Sequence, residues 1–171
     1  MLRALLLSLM LALSGAEAGA QTPPAATPKS LGMPISTLPQ RFNDAARRLE
    51  FGVRLVETEC RTNRIKTCRY SIAPGVGLVA AALPDGRTLQ DVALLIADSS
   101  GTMGAVNFLA AFLVLATILE PQADNAERAA TLFALTPDGN IPENSTARLR
   151  STRFTLRSVP GMTVMITAAR E

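Results

Sequence analysis

The chain has 171 residues, a formal net charge of +3 and neither histidine nor tryptophan. The absence of histidine excludes a Ser-His-Asp triad, a histidine-ligated zinc site and an imidazole general base. A net charge of +3 is too small for the concentrated basic surface that nucleic-acid binding requires, so we expect no nucleic-acid partner. We also expect no cofactor.

Residues 1–20 have the three parts of a secretory signal peptide. Arg3 gives the positive start, residues 4–13 form a short apolar run, and small residues follow as far as Ala20. The apolar run is too short to cross a bilayer, which takes about 20 residues in a helix. We therefore expect cleavage near Ala20, with Ala18 as the other site, and export to the periplasm or the extracellular space.

The remaining chain divides into a lead-in and one domain. Residues 21–35 are rich in proline, alanine and threonine and predict a flexible lead-in. Residues 36–171 are enough for a single domain with its own core. A first helix is predicted to start at Ser36 or Thr37 and to end near Gly52. Its apolar positions recur at helical spacing: Leu38, Phe42, Ala45, Ala46 and Leu49.

Four strands are predicted after this helix. They are Val53–Glu59, Cys68–Ala73, Gly77–Leu83 and Leu89–Ala97. The sequence Pro84-Asp85-Gly86-Arg87 between the last two predicts a tight turn. Residues 92–97 are continuously apolar, which is typical of a strand covered on both faces.

The second half predicts two helices and a hairpin. The helices are Met103–Leu119 and Asp124–Leu135, the latter capped by Asp124. Five residues are expected on the inner side of the second of these helices: Ala126, Ala129, Ala130, Phe133 and Ala134. The hairpin strands are Arg153–Ser158 and Met162–Ala168. The order α-β-β-β-β-α-α-β-β predicts an α+β fold, an antiparallel sheet of about six strands with helices packed on it.

The apolar helix 103–119 has two interpretations. By length it is a membrane span that anchors the protein in the envelope. Its purely apolar part, however, runs only from Val106 to Leu119, and stretches of that length are more often buried core helices. We favour the core helix and keep the membrane-anchored envelope component as an alternative.

The segment from Cys60 to Cys68 is the most distinctive candidate site. In an oxidising compartment two nearby cysteines predict a disulfide, which here would close a hairpin. The closed loop would present a set of basic residues: Arg61, Arg64, Lys66 and Arg69. These residues suit binding to an acidic site on an envelope protein or to an anionic polymer. A solvated hairpin without a partner is the competing interpretation. The basic positions Arg153 and Arg157 are an even step apart, which predicts that both lie on one strand face. They suit contact with anionic lipid or polysaccharide, but we favour solvated edge charge that deters aggregation.

A second candidate site follows the fourth strand. Asp98, Ser100 and Thr102 resemble the D-x-S-x-S metal-ion site of von Willebrand factor A domains, with threonine in the last position. The resemblance implies a divalent cation held by carboxylate and hydroxyl oxygens. The competing interpretation is a strand-to-helix turn in which Asp98 or a following serine caps the helix.

Taken together, these features predict an exported, non-catalytic binding, inhibitor or adaptor module. Its expected partner is an envelope protein or an anionic polymer, recognised by the basic hairpin. A divalent-metal-dependent enzyme or metal-binding module that uses Asp98, Ser100 and Thr102 is the alternative of a different class.

Overall fold

A computed structural model describes residues 28–97, 101–137, 140–159 and 163–170, so the expected signal peptide 1–20 lies outside the described residues. One antiparallel sheet of seven strands forms the centre of the fold, in the order β1-β2-β3-β4-β7-β6-β5. The strands are β1 (Val56–Thr62), β2 (Lys66–Ala73), β3 (Val76–Ala82), β4 (Leu89–Ala97), β5 (Asn144–Leu149), β6 (Thr152–Val159) and β7 (Thr163–Arg170).

Three helices cover one face of this sheet. They are α1 (Leu38–Arg48), α2 (Gly101–Leu119) and α3 (Asn125–Leu135). Helix α2 lies between the other two and packs on β2, β3 and β4, while α3 packs mainly on β5. The predicted α+β class is therefore confirmed, with one strand more than expected. The additional strand is β5, whose polar sequence NSTARL shows no clear apolar alternation.

The core lies between the sheet and the helices. Phe112 of α2 and Phe154 of β6 are fully buried and meet edge to face, with ring centroids 5.2 Å apart. Alternate residues of the central strands point to the same core, as Val92 and Leu94 do on β4. Because its neighbours Ala93 and Leu95 stay partly exposed, β4 is covered on one face only, and the prediction of a strand covered on both faces is wrong.

Helix α2 supplies much of this core. It is long and apolar enough to cross a membrane by length and composition, and half of its most apolar stretch is buried in the fold. Phe108, Phe112 and Leu115 are among its buried residues, whereas Met103 and Val106 near its start are exposed. In this fold the carboxyl-terminal part of the helix is thus a core element.

The chain before α1 is also part of the domain. Leu31, Met33 and Ile35 are buried, and they join the sheet through backbone hydrogen bonds, including one of 2.8 Å from the Leu31 N–H to the Leu89 carbonyl. The end of the expected lead-in 21–35 is therefore packed chain. Further along, the side chain of Asn43 forms two hydrogen bonds with the backbone of Leu55, at 2.7 and 3.0 Å. These bonds take the place of strand pairing, so β1 starts at Val56, three residues later than predicted.

Helix α3 begins where predicted but presents another face to the core. Asp124 caps it, because its carboxylate accepts a hydrogen bond of 2.7 Å from the Glu127 N–H and the Glu127 side chain accepts one from the Asp124 N–H. The expected inner side is wrong: Phe133 is 70% exposed, and three other residues are buried instead, Arg128, Thr131 and Leu135. The buried guanidinium of Arg128 is accommodated by donating to the Asn125 side chain and to the Glu120 carbonyl.

A buried carboxylate links the end of α2 to the turn between β5 and β6. Glu120 is only 6% exposed, and its Oε1 accepts hydrogen bonds from the hydroxyls of Ser151 and Thr152 at 2.6 and 2.7 Å. The Ser151 N–H donates a third bond, and a guanidinium nitrogen of Arg170 lies 4.0 Å away. Burial by itself raises the pKa of Glu120, but these donors and the positive charge outweigh it and leave the pKa below its usual value.

Candidate functional site

The hairpin formed by β1 and β2 is closed by a disulfide. Cys60 and Cys68 are direct partners across the two strands, and their sulfur atoms are bonded, as predicted. Cys68 is buried on the helix-covered face, while Cys60 is exposed because β1 is the edge strand. Closing so short a loop contributes about 2–3 kcal/mol to stability in the chain-entropy account. The bond therefore fixes the shape of the hairpin tip.

Three of the four predicted basic residues gather around an open concavity at this tip. The concavity has a volume of about 530 Å³ and is lined by Glu59, Arg61, Asn63, Arg64, Ile65, Thr67 and Arg69. The guanidinium of Arg61 forms an ion pair with the carboxylate of Glu59. Within the described part of the chain, Arg64 and Arg69 form no ion pair. Their charges are therefore available to a partner.

The fourth predicted residue, Lys66, lies elsewhere. Successive side chains of a strand point to opposite faces, so Lys66 shares the face of Cys68, whereas Thr67 and Arg69 share the other. Lys66 accordingly does not line the concavity. The sequence shows that the loop is basic, but it does not show which face of the hairpin each basic side chain lies on. That depends on the pairing of Cys60 with Cys68 across the two strands.

The concavity continues into the face of the sheet that carries no helix, which we call the open face. Strand register places three residues each from β3, β4 and β7 at its centre. We call this set the floor; it consists of Gly77, Val79, Ala81, Asp91, Ala93, Leu95, Met165, Thr167 and Ala169. All nine are partly exposed, and Asp91 is the one charged member. Such a continuous, mostly apolar surface is more often an interaction site than solvent-facing sheet.

Arginines flank the floor on both sides. On one side Arg69 of β2 stands directly opposite Val79. On the other side Arg153 and Arg157 of β6 pair with Ala169 and Met165 of β7, and both are exposed. The even step between Arg153 and Arg157 thus does place both on one strand face, and the register shows that this face is the open one.

Asp91 lies at one end of the floor. It is the partner of Ala81 on β3 and of Ala169 on β7, so its carboxylate sits among small side chains. Burial raises the pKa of this carboxyl, and a hydrogen bond of 2.9 Å from the Gln90 amide opposes the shift in part. Towards the other end, around Ala93 and Leu95, the floor carries no charge.

The predicted metal site is described only in part. Asp98 and Ser100 lie outside the described residues, and Thr102 is exposed in the first turn of α2. A different group of possible ligand atoms lies close together on β1 and β2, namely those of Glu57, Cys60 and Cys68. Both sulfur atoms of that group are used in the disulfide, so they cannot serve as the thiolates that metals require.

Comparison with family models, with curated proteins and with solved structures finds no match to this chain. The function of the chain must therefore be inferred from the chemistry of its own surfaces. Two of these adjoin each other on the open face: the arginine-lined concavity of the hairpin and the floor between the arginine-bearing strands β2 and β6.

Proposed function

We propose that this protein is an exported, non-catalytic binding module that holds an acidic partner of the cell envelope, a protein or an anionic polymer, at the β1–β2 hairpin. The observation that carries the proposal is the concavity in which Arg64 and Arg69 stand without ion-pair partners among the described residues. Guanidinium groups offer planar, bidentate hydrogen bonding to carboxylate and phosphate oxygens. The chemistry of the site thus favours an anionic partner.

The rigidity of the hairpin supports the same proposal. Binding costs free energy whenever a flexible loop must become ordered, and a disulfide at the base of the loop removes part of that cost. The disulfide also fits the expected export, because such bonds persist in oxidising compartments and are rare in the cytosol. A loop that is both cationic and already ordered suits recognition more than catalysis.

The first test compares two single substitutions on the hairpin. Arg64→Ser and Lys66→Ser each remove one positive charge, but only Arg64 lines the concavity. We expect Arg64→Ser to weaken the capture of the partner from the native compartment at least tenfold, while Lys66→Ser stays close to wild type. The measurement is quantitative affinity capture with tagged wild-type and variant proteins.

The melting temperatures of the two variants serve as the control. Both residues lie at the hairpin tip, so both variants are expected to melt within a few degrees of wild type. Equal capture by wild type and Arg64→Ser would contradict the proposal. Equal losses for both substitutions would show that net charge, not the concavity, governs capture, and would contradict it as well.

A further inference from the structure

The floor has the dimensions of a site for one α-helix. The strands β2 and β6, which carry the flanking arginines, are four interstrand steps apart, or about 19 Å at about 4.8 Å per step. An α-helix with its side chains is about 10–12 Å wide, so it fits between the two arginine-bearing strands with room for a side-chain contact on each side. Along β4 the open face runs from Asp91 to Ala97, about 20 Å, which matches about 13 helical residues.

The composition of the floor matches the same occupant. Four of its nine residues have small side chains or none, which lets a helix approach the backbone of the sheet closely: Gly77, Ala81, Ala93 and Ala169. The flanking groups are cationic on both sides: Arg69 on β2, and Arg153 and Arg157 on β6. A complementary helix has an apolar stripe with carboxylates along both of its edges.

We propose that the floor binds an amphipathic α-helix of a partner protein, with its apolar stripe on β3, β4 and β7 and its flanking Asp or Glu residues facing Arg69 and Arg157. This inference rests on the proposed binding function and extends it by naming the kind of partner. It shares Arg69 with the hairpin concavity, but its apolar contacts on β3, β4 and β7 do not line that concavity. The two proposals can therefore fail separately.

Charge argues against a second copy of this chain as the occupant. Among the described residues, the register places two carboxylates on the open face, those of Glu59 and Asp91. It places five arginines there: Arg61, Arg69, Arg148, Arg153 and Arg157. Two such faces brought together would set like charges against each other. A helix with acidic edges meets this face with opposite charge.

The exposure pattern of the floor argues against a lipid surface. Its apolar residues are only partly exposed, whereas the flanking residues Arg69, Arg153 and Arg157 are exposed and charged. Peripheral membrane binding depends on apolar groups that enter the acyl boundary. The floor is instead a partly exposed strip between two arginine-bearing strands, which suits a rod-shaped occupant.

The test uses two synthetic helical peptides of 18 residues with the same leucine and alanine stripe. One carries glutamate along both edges of the stripe and the other carries lysine at the same positions. In fluorescence anisotropy we expect wild type to bind the glutamate peptide at least tenfold more tightly than the lysine peptide. The double variant Arg69→Glu/Arg157→Glu should lose at least tenfold in affinity for the glutamate peptide.

Two further variants separate the floor from general electrostatics. Ala93→Arg adds a positive charge but fills the floor, so we expect it to weaken binding of the glutamate peptide at least tenfold. Arg41→Glu/Arg48→Glu makes the same charge change as the double variant, but on α1, away from the open face, and should bind like wild type. Thermal melts establish that each variant is folded.

Several outcomes would overturn the inference. These are equal affinity for the two peptides, no binding of the glutamate peptide, or unchanged binding by Ala93→Arg. Sedimentation that shows a dimer broken by Ala93→Arg would assign the floor to a second copy. Binding to phosphatidylglycerol vesicles, without a preference between the peptides, would assign it to lipid. If the peptide results hold while Arg64→Ser captures its partner normally, the hairpin proposal alone fails.

Discussion

The substitution Phe154→Ala is expected to lower the free energy of unfolding by about 3–5 kcal/mol. Phe154 is fully buried on β6, and its ring meets that of Phe112 on α2 edge to face at 5.2 Å. Removing the ring loses its transfer free energy, leaves a cavity, and ends a ring contact that contributes about 0.5–1.5 kcal/mol by itself. Urea unfolding monitored by circular dichroism measures the change.

Phe133→Ala is the matched control for this prediction. It removes the same ring from α3, but Phe133 is 70% exposed, so the expected change is within about 0.5 kcal/mol. Equal losses for the two variants would contradict the packing described here. They would mean that α3 turns the face containing Phe133 towards the core, as the sequence pattern had predicted.

The substitution Glu120→Ala is expected to lower the free energy of unfolding by about 2–4 kcal/mol at pH 7. The carboxylate is buried and accepts three hydrogen bonds from Ser151 and Thr152, and each hydrogen bond to a charged group contributes about 1.5–3 kcal/mol, less than additively. The substitution leaves Arg170 without the carboxylate 4.0 Å away. Urea unfolding at pH 7 measures this loss.

The stabilisation by Glu120 depends on pH in a defined direction. Its pKa is lowered in the folded protein, so the folded state binds the proton more weakly than the unfolded state. The contribution of Glu120 to stability is complete at pH values above 4.5, the ordinary pKa of the group. It is lost as the pH falls from 4.5 through the lower pKa of the folded state. The difference between wild type and Glu120→Ala should thus be constant from about pH 7 to 6 and shrink below about pH 4.5.

Glu143→Ala provides the control for this pH series, since Glu143 is exposed before β5. Because this side chain is exposed, its replacement should change the free energy of unfolding by no more than about 0.5 kcal/mol. A difference between wild type and Glu120→Ala that grows towards low pH would contradict the account, because it would mean that the carboxyl is held protonated.

Local patterns predicted the elements whose contacts are close in sequence. Strand β4 has the predicted bounds, Leu89–Ala97, because the tight turn before it fixes its start. The disulfide Cys60–Cys68 could be predicted from the close spacing of two cysteines in one hairpin, together with the expected oxidising compartment. The capping of α3 by Asp124 is likewise a local event. In each case the determining residues lie within one turn or hairpin.

The wrong predictions concern features that depend on contacts with residues distant in the sequence. The cap of α3 sets where the helix begins, but its rotation depends on packing against β5, which the polar sequence NSTARL did not reveal as a strand. An arginine was buried there because Asn125 and the Glu120 carbonyl accept its hydrogen bonds. No helical periodicity of apolar residues indicates such a position.

The floor could not have been found from the sequence alone. It depends on the pairing of β4 with β7, which are separated by two helices and two strands along the chain. Val79 and Ala81 are two residues apart on β3, and Ala93 and Leu95 are two residues apart on β4. This spacing indicates only that each pair shares one face of its own strand. Only the register shows that these faces are neighbours and that Arg69 and Arg157 lie on either side of them.

If a partner protein binds the floor as proposed, it lies on the open face of the sheet and not over the helices on the other face. Site-specific photo-crosslinking in the cells that make this protein tests it most directly, with a photoreactive amino acid in place of Val79 on the floor or of Gln40, exposed on α1. We predict a covalent product with another protein from position 79 and none from position 40. Products from position 40 alone, or only dimers of this chain from position 79, would contradict the claim.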